Sequence, residues 1–183
     1  MRVIAGEFRS RRLKTLPGQT LRPTPDRLRE ALFNVLAPRI EGVIFLDAYA
    51  GSGSVGIEAL SRGAGSAIFI EKRFAAVSVI RENLASLGLE DRATVIQGAT
   101  TAALLRFEAD IYFLDPPYTH PAEYQSTLDL LGDHPLRPSA LVLAQHAKQF
   151  KPAETYGSLR RTRVLAQGDN VVSFFDSVEE TAP

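Results

Sequence analysis

Five short apolar runs recur along the chain: 43–47 (VIFLD), 66–70 (SAIFI), 93–97 (ATVIQ), 110–114 (DIYFL) and 140–145 (ALVLAQ). Each is rich in β-branched or aromatic residues, and a segment able to form a helix separates each from the next. That alternation predicts an α/β fold with a mostly parallel sheet covered on both faces. Further on, RRTRVLA and NVVSFF flank QGD, the pattern of a hairpin, so at least one closing strand is expected to run antiparallel.

Upstream of these runs, residues 2–5 and 11–14 predict a small hairpin around GEFRS. A helix is expected from RPTPDRLREALFNVL, with Thr24 as its N-cap, Pro25 in the first helical position and Asp26 complementing the positive end of the dipole. Leu28, Ala31, Leu32, Val35 and Leu36 then form an apolar stripe to be buried. Arg27 and Arg29 lie off that stripe, leaving a cationic side. The boundary is placed near residue 40, giving an extension over 1–40 and a main domain over 41–183.

Composition narrows the function classes. At 183 residues, 45% hydrophobic and 23% charged, the chain suits one soluble globular domain with a small appendage. No apolar stretch approaches the roughly 20 residues of a membrane span, and residues 1–15 lack a signal-peptide core. With no cysteine there is no disulfide or thiolate metal site, and His120, His134 and His146 lack metal-ligand spacing. A cytoplasmic, metal-independent protein is expected, with a monomer as the simplest state. The formal charge of +0 conceals an asymmetry: residues 1–39 hold nine Arg and Lys against three acids, a net of +6, so the remainder carries −6. A basic segment on an acidic body suggests a grip on a polyanion.

The first core run ends in LDAYAGSGSVGIEAL, where Gly51, Gly53 and Gly56 fit G-x-G-x-x-G, and Glu71 stands twenty residues beyond Gly51 at the end of the next strand. Glycines allow a nucleoside cofactor close to the backbone, and the acid can accept from ribose hydroxyls. The spacing is shared by dinucleotide and S-adenosylmethionine sites. Asp47 favours the second, because it precedes the glycines where a pyrophosphate would be repelled, resembling the first motif of Rossmann-like methyltransferases.

The fourth run ends in DPPY, residues 115–118. Neither Pro116 nor Pro117 can extend a sheet ladder, so the strand stops and its carbonyls are held. An exocyclic amine on a base is a poor nucleophile because its lone pair is delocalised into the ring. If Asp115 and the Pro116 carbonyl each accept a hydrogen bond from it, the nitrogen turns toward tetrahedral geometry and its lone pair can point at a sulfonium methyl. Tyr118 offers a ring on which a flipped base can stack. The first and fourth core strands are neighbours in a doubly wound sheet, so the two loops are expected to face each other.

Other readings use fewer of these features. An NAD-dependent oxidoreductase has no use for Asp47 or the double proline, and an inactive RNA-binding protein needs neither loop. An N6-adenine methyltransferase shares DPPY, but sequence-specific duplex readout usually needs a module beyond a basic extension of ~40 residues.

The blocks RVIAGEFRSRRL, LRPTPDRLREALFNVL, FLDAYAGSGSVGIEALSRGA, IEKRFAAVSVIRENL, DPPY and GDNVVSFF together resemble the RsmD family of 16S rRNA guanine-N2 methyltransferases, over nearly the whole chain. The resemblance implies a Rossmann-like class I methyltransferase with a seven-stranded sheet and S-adenosylmethionine as donor. One guanine in the 16S rRNA of an assembled or assembling 30S subunit is the implied target. By position, Asp47, Tyr49, Gly51, Ser52, Gly53, Glu71, Lys72, Gly98, Ala99 and Asp115 would form the cofactor site, and Asp115, Pro116 and Tyr118 the amine site. Arg2, Arg9, Arg11, Arg12, Lys14, Arg22, Arg27 and Arg29 are the cations expected to meet RNA, and deleting residues 1–20 is expected to weaken RNA binding while leaving the core undisturbed. Two positions depart from the family pattern. Ala99 stands where an Asp or Asn often holds the adenine amino group, leaving backbone groups or Gln97 for that task. Gln145 stands where Glu is common, which keeps a hydrogen-bonding role but removes an ionic one.

Overall fold

The computed structural model describes residues 1–16, 24–118 and 120–178. After α1 (Asp26–Leu36), strand and helix alternate as β1 (Ile44–Asp47), α2 (Ser54–Ser61), β2 (Ser66–Glu71), α3 (Phe74–Leu87), β3 (Ala93–Gln97), α4 (Thr100–Ala103), β4 (Ile111–Leu114), α5 (Pro121–Gly132) and β5 (Leu141–Ala147). Three strands then follow without intervening helices: β6 (Thr155–Tyr156), β7 (Leu159–Gln167) and β8 (Asn170–Ser177). They form one sheet in the order β3-β2-β1-β4-β5-β8-β7-β6. The first five pair in parallel, and β8, β7 and β6 are antiparallel. The sheet has eight strands where seven were expected. The extra one, β6, is only two residues long and is too short to show a period in sequence.

Alternate residues of the central strands feed opposite faces. Leu46, Tyr112 and Val142 join Leu128 and Leu131 of α5 on one side. Phe45, Ile111, Phe113 and Leu143 meet Leu28, Leu32, Phe33 and Leu36 of α1 on the other. Each of those α1 side chains, fully buried, contributes about 1.5–3 kcal/mol. The buried face of α1 is Leu28, Arg29, Leu32, Phe33 and Leu36, so the helix is turned from the expected stripe, and Ala31 and Val35 are only half-buried.

Two expectations for α1 are corrected. The N-cap is Pro25 and the helix begins at Asp26; no side chain caps it. Thr24 is instead buried, with its hydroxyl donating to Gln145 Oε1 at 3.2 Å. Arg29 does not offer a charge to RNA, because its side chain has 0% exposure. It donates to the Arg2 carbonyl at 2.7 Å and to Asp26 Oδ1 at 3.0 Å, and its Nε stands 3.9 Å from Glu58 Oε2. Burial pulls its pKa down, while Glu58 and Asp26 oppose that shift. The buried Glu58 also accepts from the Ile4 and Ala5 amides at 2.8 and 3.0 Å and from Arg62 Nε at 2.8 Å. Helical position 29 shares a face with Phe33 and Leu36, and the acid beneath that face turns a surface arginine into an internal clamp.

The N-terminal hairpin belongs to the same core. Arg2 and Arg12 form an antiparallel bridge, and Val3 and Leu13 are buried with Ile57, Phe69, Ile80 and Leu84. Asn83, itself buried, accepts from the Lys14 amide at 2.7 Å and donates to the Lys14 carbonyl at 3.1 Å. Removing residues 1–20 would therefore open this cluster, contrary to the expectation of an undisturbed core.

Candidate cofactor and amine-binding site

The carboxyl ends of β1, β2 and β4 converge at one edge of the sheet. Asp47 pairs in register with Phe113, and the Ala48 amide donates to the Phe113 carbonyl at 2.9 Å. The chain leaving β1 and the DPPY turn leaving β4 therefore start side by side. At Gly51 the backbone takes φ +56°, and a Cβ there would meet nothing within 4 Å, which leaves the loop open toward a ligand. Gly56 has the opposite reason to be glycine: its Cβ would fall 2.3 Å from Phe69 Cε1, so it lets α2 lie on β2.

Asp47 is 1% exposed and accepts from the Gly56 amide at 3.0 Å. Burial pushes its carboxyl up to about 7, the Gly56 hydrogen bond opposes that rise, and Glu71 adds to it. Glu71 accepts from the Gly51 amide at 2.9 Å, bridging the end of β2 to the glycine loop. Its other oxygen accepts from the Arg73 amide at 3.0 Å and from Arg73 Nε at 2.9 Å. The Gly98 amide reaches the Glu71 carbonyl at 3.1 Å, and Thr100 Oγ1 donates to the Ala48 carbonyl at 2.5 Å. These bonds draw Gly98 and the exposed Ala99 beside Glu71. Ser52 contributes its carbonyl, which accepts from Asn83 at 3.1 Å. Tyr49 turns its hydroxyl toward α5, 2.8 Å from Thr127 Oγ1, and Lys72 lies 4.0 Å from Glu123 with its side chain largely exposed. An open glycine turn, a ribose-type acid and a buried carboxylate fit S-adenosylmethionine: the Gly51 backbone and Glu71 would take the nucleoside, and Asp47 would present negative charge toward the sulfonium end.

In the DPPY turn, the Asp115 carboxyl is pushed up to about 8, first by burial and then by Asp47, with a hydrogen bond from Gln145 opposing both. The Tyr124 hydroxyl lies 3.1 Å from the Pro116 carbonyl and 2.8 Å from the Gln145 carbonyl, and its single proton is donated to one or the other. Tyr118 is 41% exposed, and its hydroxyl donates to Asn170 Oδ1 at 3.1 Å while Gln145 Nε2 lies 3.4 Å away. Nothing local in the sequence pointed to a role here for Tyr124 or Asn170, and Thr24 reads as a helix cap. Tyr124 reads as an ordinary apolar position on an amphipathic helix, and the other two find their partners only through the fold.

The cations expected to meet RNA divide into groups. Arg9, Arg12 and Arg27 are exposed and form no ion pair among the described residues. Arg2 is 3.9 Å from Asp26, and Lys14 is 2.7 Å from Glu82. Arg11 donates to the Ser86 carbonyl at 3.1 Å, near the end of α3. The hairpin turn meets the end of α2, where the Glu7 amide donates to the Ser61 carbonyl. Because α2 and α3 run back from the carboxyl edge, this places Arg9 and Arg11 toward the amino edge of the sheet, away from Tyr118. Arg22 lies outside the described residues. Among the described residues, no group of three or more His, Asp or Glu could hold a metal, and no helix is long and apolar enough to cross a membrane.

Residues 1–176 match the family model described as Conserved hypothetical protein 95. The ribosomal RNA small subunit methyltransferase D of Haemophilus influenzae is 38% identical over 160 residues, covering 85% of this chain and 82% of that protein. The solved structure of yhhF from Escherichia coli superposes with a TM-score of 0.86 at 33% identity, covering 98% of this chain and 99% of that one. An RNA methyltransferase from Salinibacter ruber in complex with S-adenosyl-L-homocysteine shares the fold, with a TM-score of 0.68 at 18% identity over 88% of this chain and 97% of that one. With the glycine loop, Glu71 and DPPY assembled at one sheet edge and this similarity along the chain, the protein belongs to the RsmD family of S-adenosylmethionine-dependent ribosomal RNA methyltransferases.

Proposed function

We propose that this protein, acting as a monomer in the cytoplasm, methylates the N2 amine of one guanine of 16S rRNA in the assembled or assembling 30S subunit. One observation carries the reading: the Asp115 carboxyl and the Pro116 carbonyl stand at the end of β4, directly beside the loop leaving β1, with the exposed Tyr118 ring next to them. Bound S-adenosylmethionine supplies an electrophilic methyl on a sulfonium.

The chain's own groups do the rest. Asp115 and the Pro116 carbonyl accept from the two N–H groups of the guanine amine and turn its lone pair out of conjugation. Tyr124 fixes the Pro116 carbonyl from behind, and Tyr118 gives the extruded base a stacking surface. A cation brought beside Asp47 and Asp115 favours their ionised forms, so the carboxyl that is raised in the free protein becomes an acceptor when the site fills. Asp115 is then placed to hold the proton that the methylated nitrogen sheds. Residues 1–40 serve as the RNA-facing extension through Arg2, Arg12, Lys14 and Arg27, with Arg9 and Arg11 set to meet a more distant strand.

The test is transfer of labelled methyl from S-adenosylmethionine to small subunits from cells lacking this activity, followed by nucleoside analysis. N2-methylguanosine at one site is expected; label in N6-methyladenine, or none with cofactor bound, would refute the assignment.

A further inference from the structure

Gln145 lies in the buried part of β5, next to the end of β4, and is 1% exposed. Its amide is used with one polarity. The Thr24 hydroxyl donates to Oε1 at 3.2 Å and Nε2 faces the Tyr118 hydroxyl at 3.4 Å, while the side chain favours the ionised form of the neighbouring Asp115 carboxyl. Tyr118 in turn donates to Asn170 Oδ1 at 3.1 Å, so donors and acceptors run in one direction from Thr24 through Gln145 and Tyr118 to Asn170. Once Asp115 is ionised, flipping the amide would set a carbonyl oxygen against its carboxylate, and in the unflipped orientation the Thr24 hydroxyl supplies the donor that Oε1 accepts. Thr24 is 121 residues away in sequence and belongs to the segment leading into α1.

We propose that Gln145, hydrogen-bonded by Thr24, is the positioning residue that aligns Asp115 and Tyr118 on the substrate amine. This rests on the reading of Asp115 as an amine acceptor. The neutral amide suits the place: Asp115 already faces Asp47 from β1, with the Tyr124 hydroxyl near it from α5, and an N–H donor steadies its ionised form where a further acid would not.

The variants are Gln145→Met, which keeps length and volume without the hydrogen bonds, and the pair Thr24→Val and Thr24→Ser. Gln145→Met is expected to lower kcat about 100-fold with the KM for S-adenosylmethionine unchanged. Thr24→Val is expected to lower kcat about 10-fold, and Thr24→Ser to restore it. A purely structural role would not move the second readout, the midpoint of the Asp115 carboxyl titration followed by carbon NMR on the ligand-free full chain. Gln145→Met removes a contact that favours the ionised form, while burial, Asp47 and Tyr124 stay, so the midpoint moves to higher pH. Thr24→Val moves it the same way by less, and Thr24→Ser leaves it in place. If Gln145→Met does not fold, the Thr24 pair decides alone. An unshifted midpoint, or full kcat in Gln145→Met, overturns the proposal. The titration needs no acceptor, so an unshifted midpoint alongside normal guanine methylation by the wild type would sink the role of Gln145 and leave the proposed function standing.

Discussion

Replacing Asp115 with asparagine should stabilise the free protein while destroying its activity. The carboxyl is held at about 8 in the folded chain against an ordinary value of 3.8. A group whose folded pKa is raised leaves the native state most favoured below the unfolded value, and that advantage is lost as pH climbs toward the folded value. Each unit between the two is about 1.4 kcal/mol. From pH 5 to pH 7 the unfolded chain has already ionised and the folded site has not, so the wild type loses about 3 kcal/mol that the D115N variant would keep. The asparagine side chain retains an oxygen to face the Gln145 amide, so that donor keeps an acceptor. For a chain of this length, 3 kcal/mol is worth about 6 °C or more in melting temperature. Thermal unfolding of D115N and wild type at pH 5 and pH 7, together with methyl transfer at pH 7, tests both halves. The gap in melting temperature should widen with pH, cofactor should still bind, and turnover should fall at least about 100-fold. A variant less stable than wild type at pH 7, or one with unchanged turnover, would refute the reasoning.

Four other substitutions bear on separate parts of the molecule. Tyr118→Ala should weaken acceptor binding or turnover by about 1–3 kcal/mol, the value of one base-stacking platform, measured as kcat/KM on RNA. Arg29→Met should destabilise the fold by about 3 kcal/mol in denaturant titration, because the Arg2 carbonyl, Asp26 and the buried Glu58 lose the guanidinium they share. Arg27→Ala, by contrast, should leave stability unchanged and lower the slope of RNA affinity against salt by about one. Gly56→Ala should cost about 1–3 kcal/mol of stability through its clash with Phe69, read from the shift in unfolding midpoint.

The sheet was legible because four of its five parallel strands, β1, β2, β4 and β5, are buried on both faces, and burial on both faces writes continuous apolar runs; β3, at the sheet edge, is only half-buried. β6 was not, since two residues carry no period. The turning of α1 was missed because Arg29 is judged by its charge in sequence, whereas its burial depends on Glu58, an acid in a different helix. Asp47, Gly51, Glu71 and DPPY were readable for a related reason: each lies at a strand end, where the local pattern and the ligand crevice coincide. The groups that hold them lie far away in sequence. Thr24 reaches Gln145, Asn83 ties Lys14 to Ser52, and Asn170 takes the Tyr118 hydroxyl, all through contacts that only the folded topology creates.

The most direct test of the central claim is a structure of the protein bound to the small ribosomal subunit with an unreactive cofactor analogue. A guanine should be extruded from the RNA, its N2 within hydrogen-bonding distance of the Asp115 carboxyl and the Pro116 carbonyl, and its ring against Tyr118. An adenine in that place, or a guanine whose amine points away from both acceptors, would contradict the account.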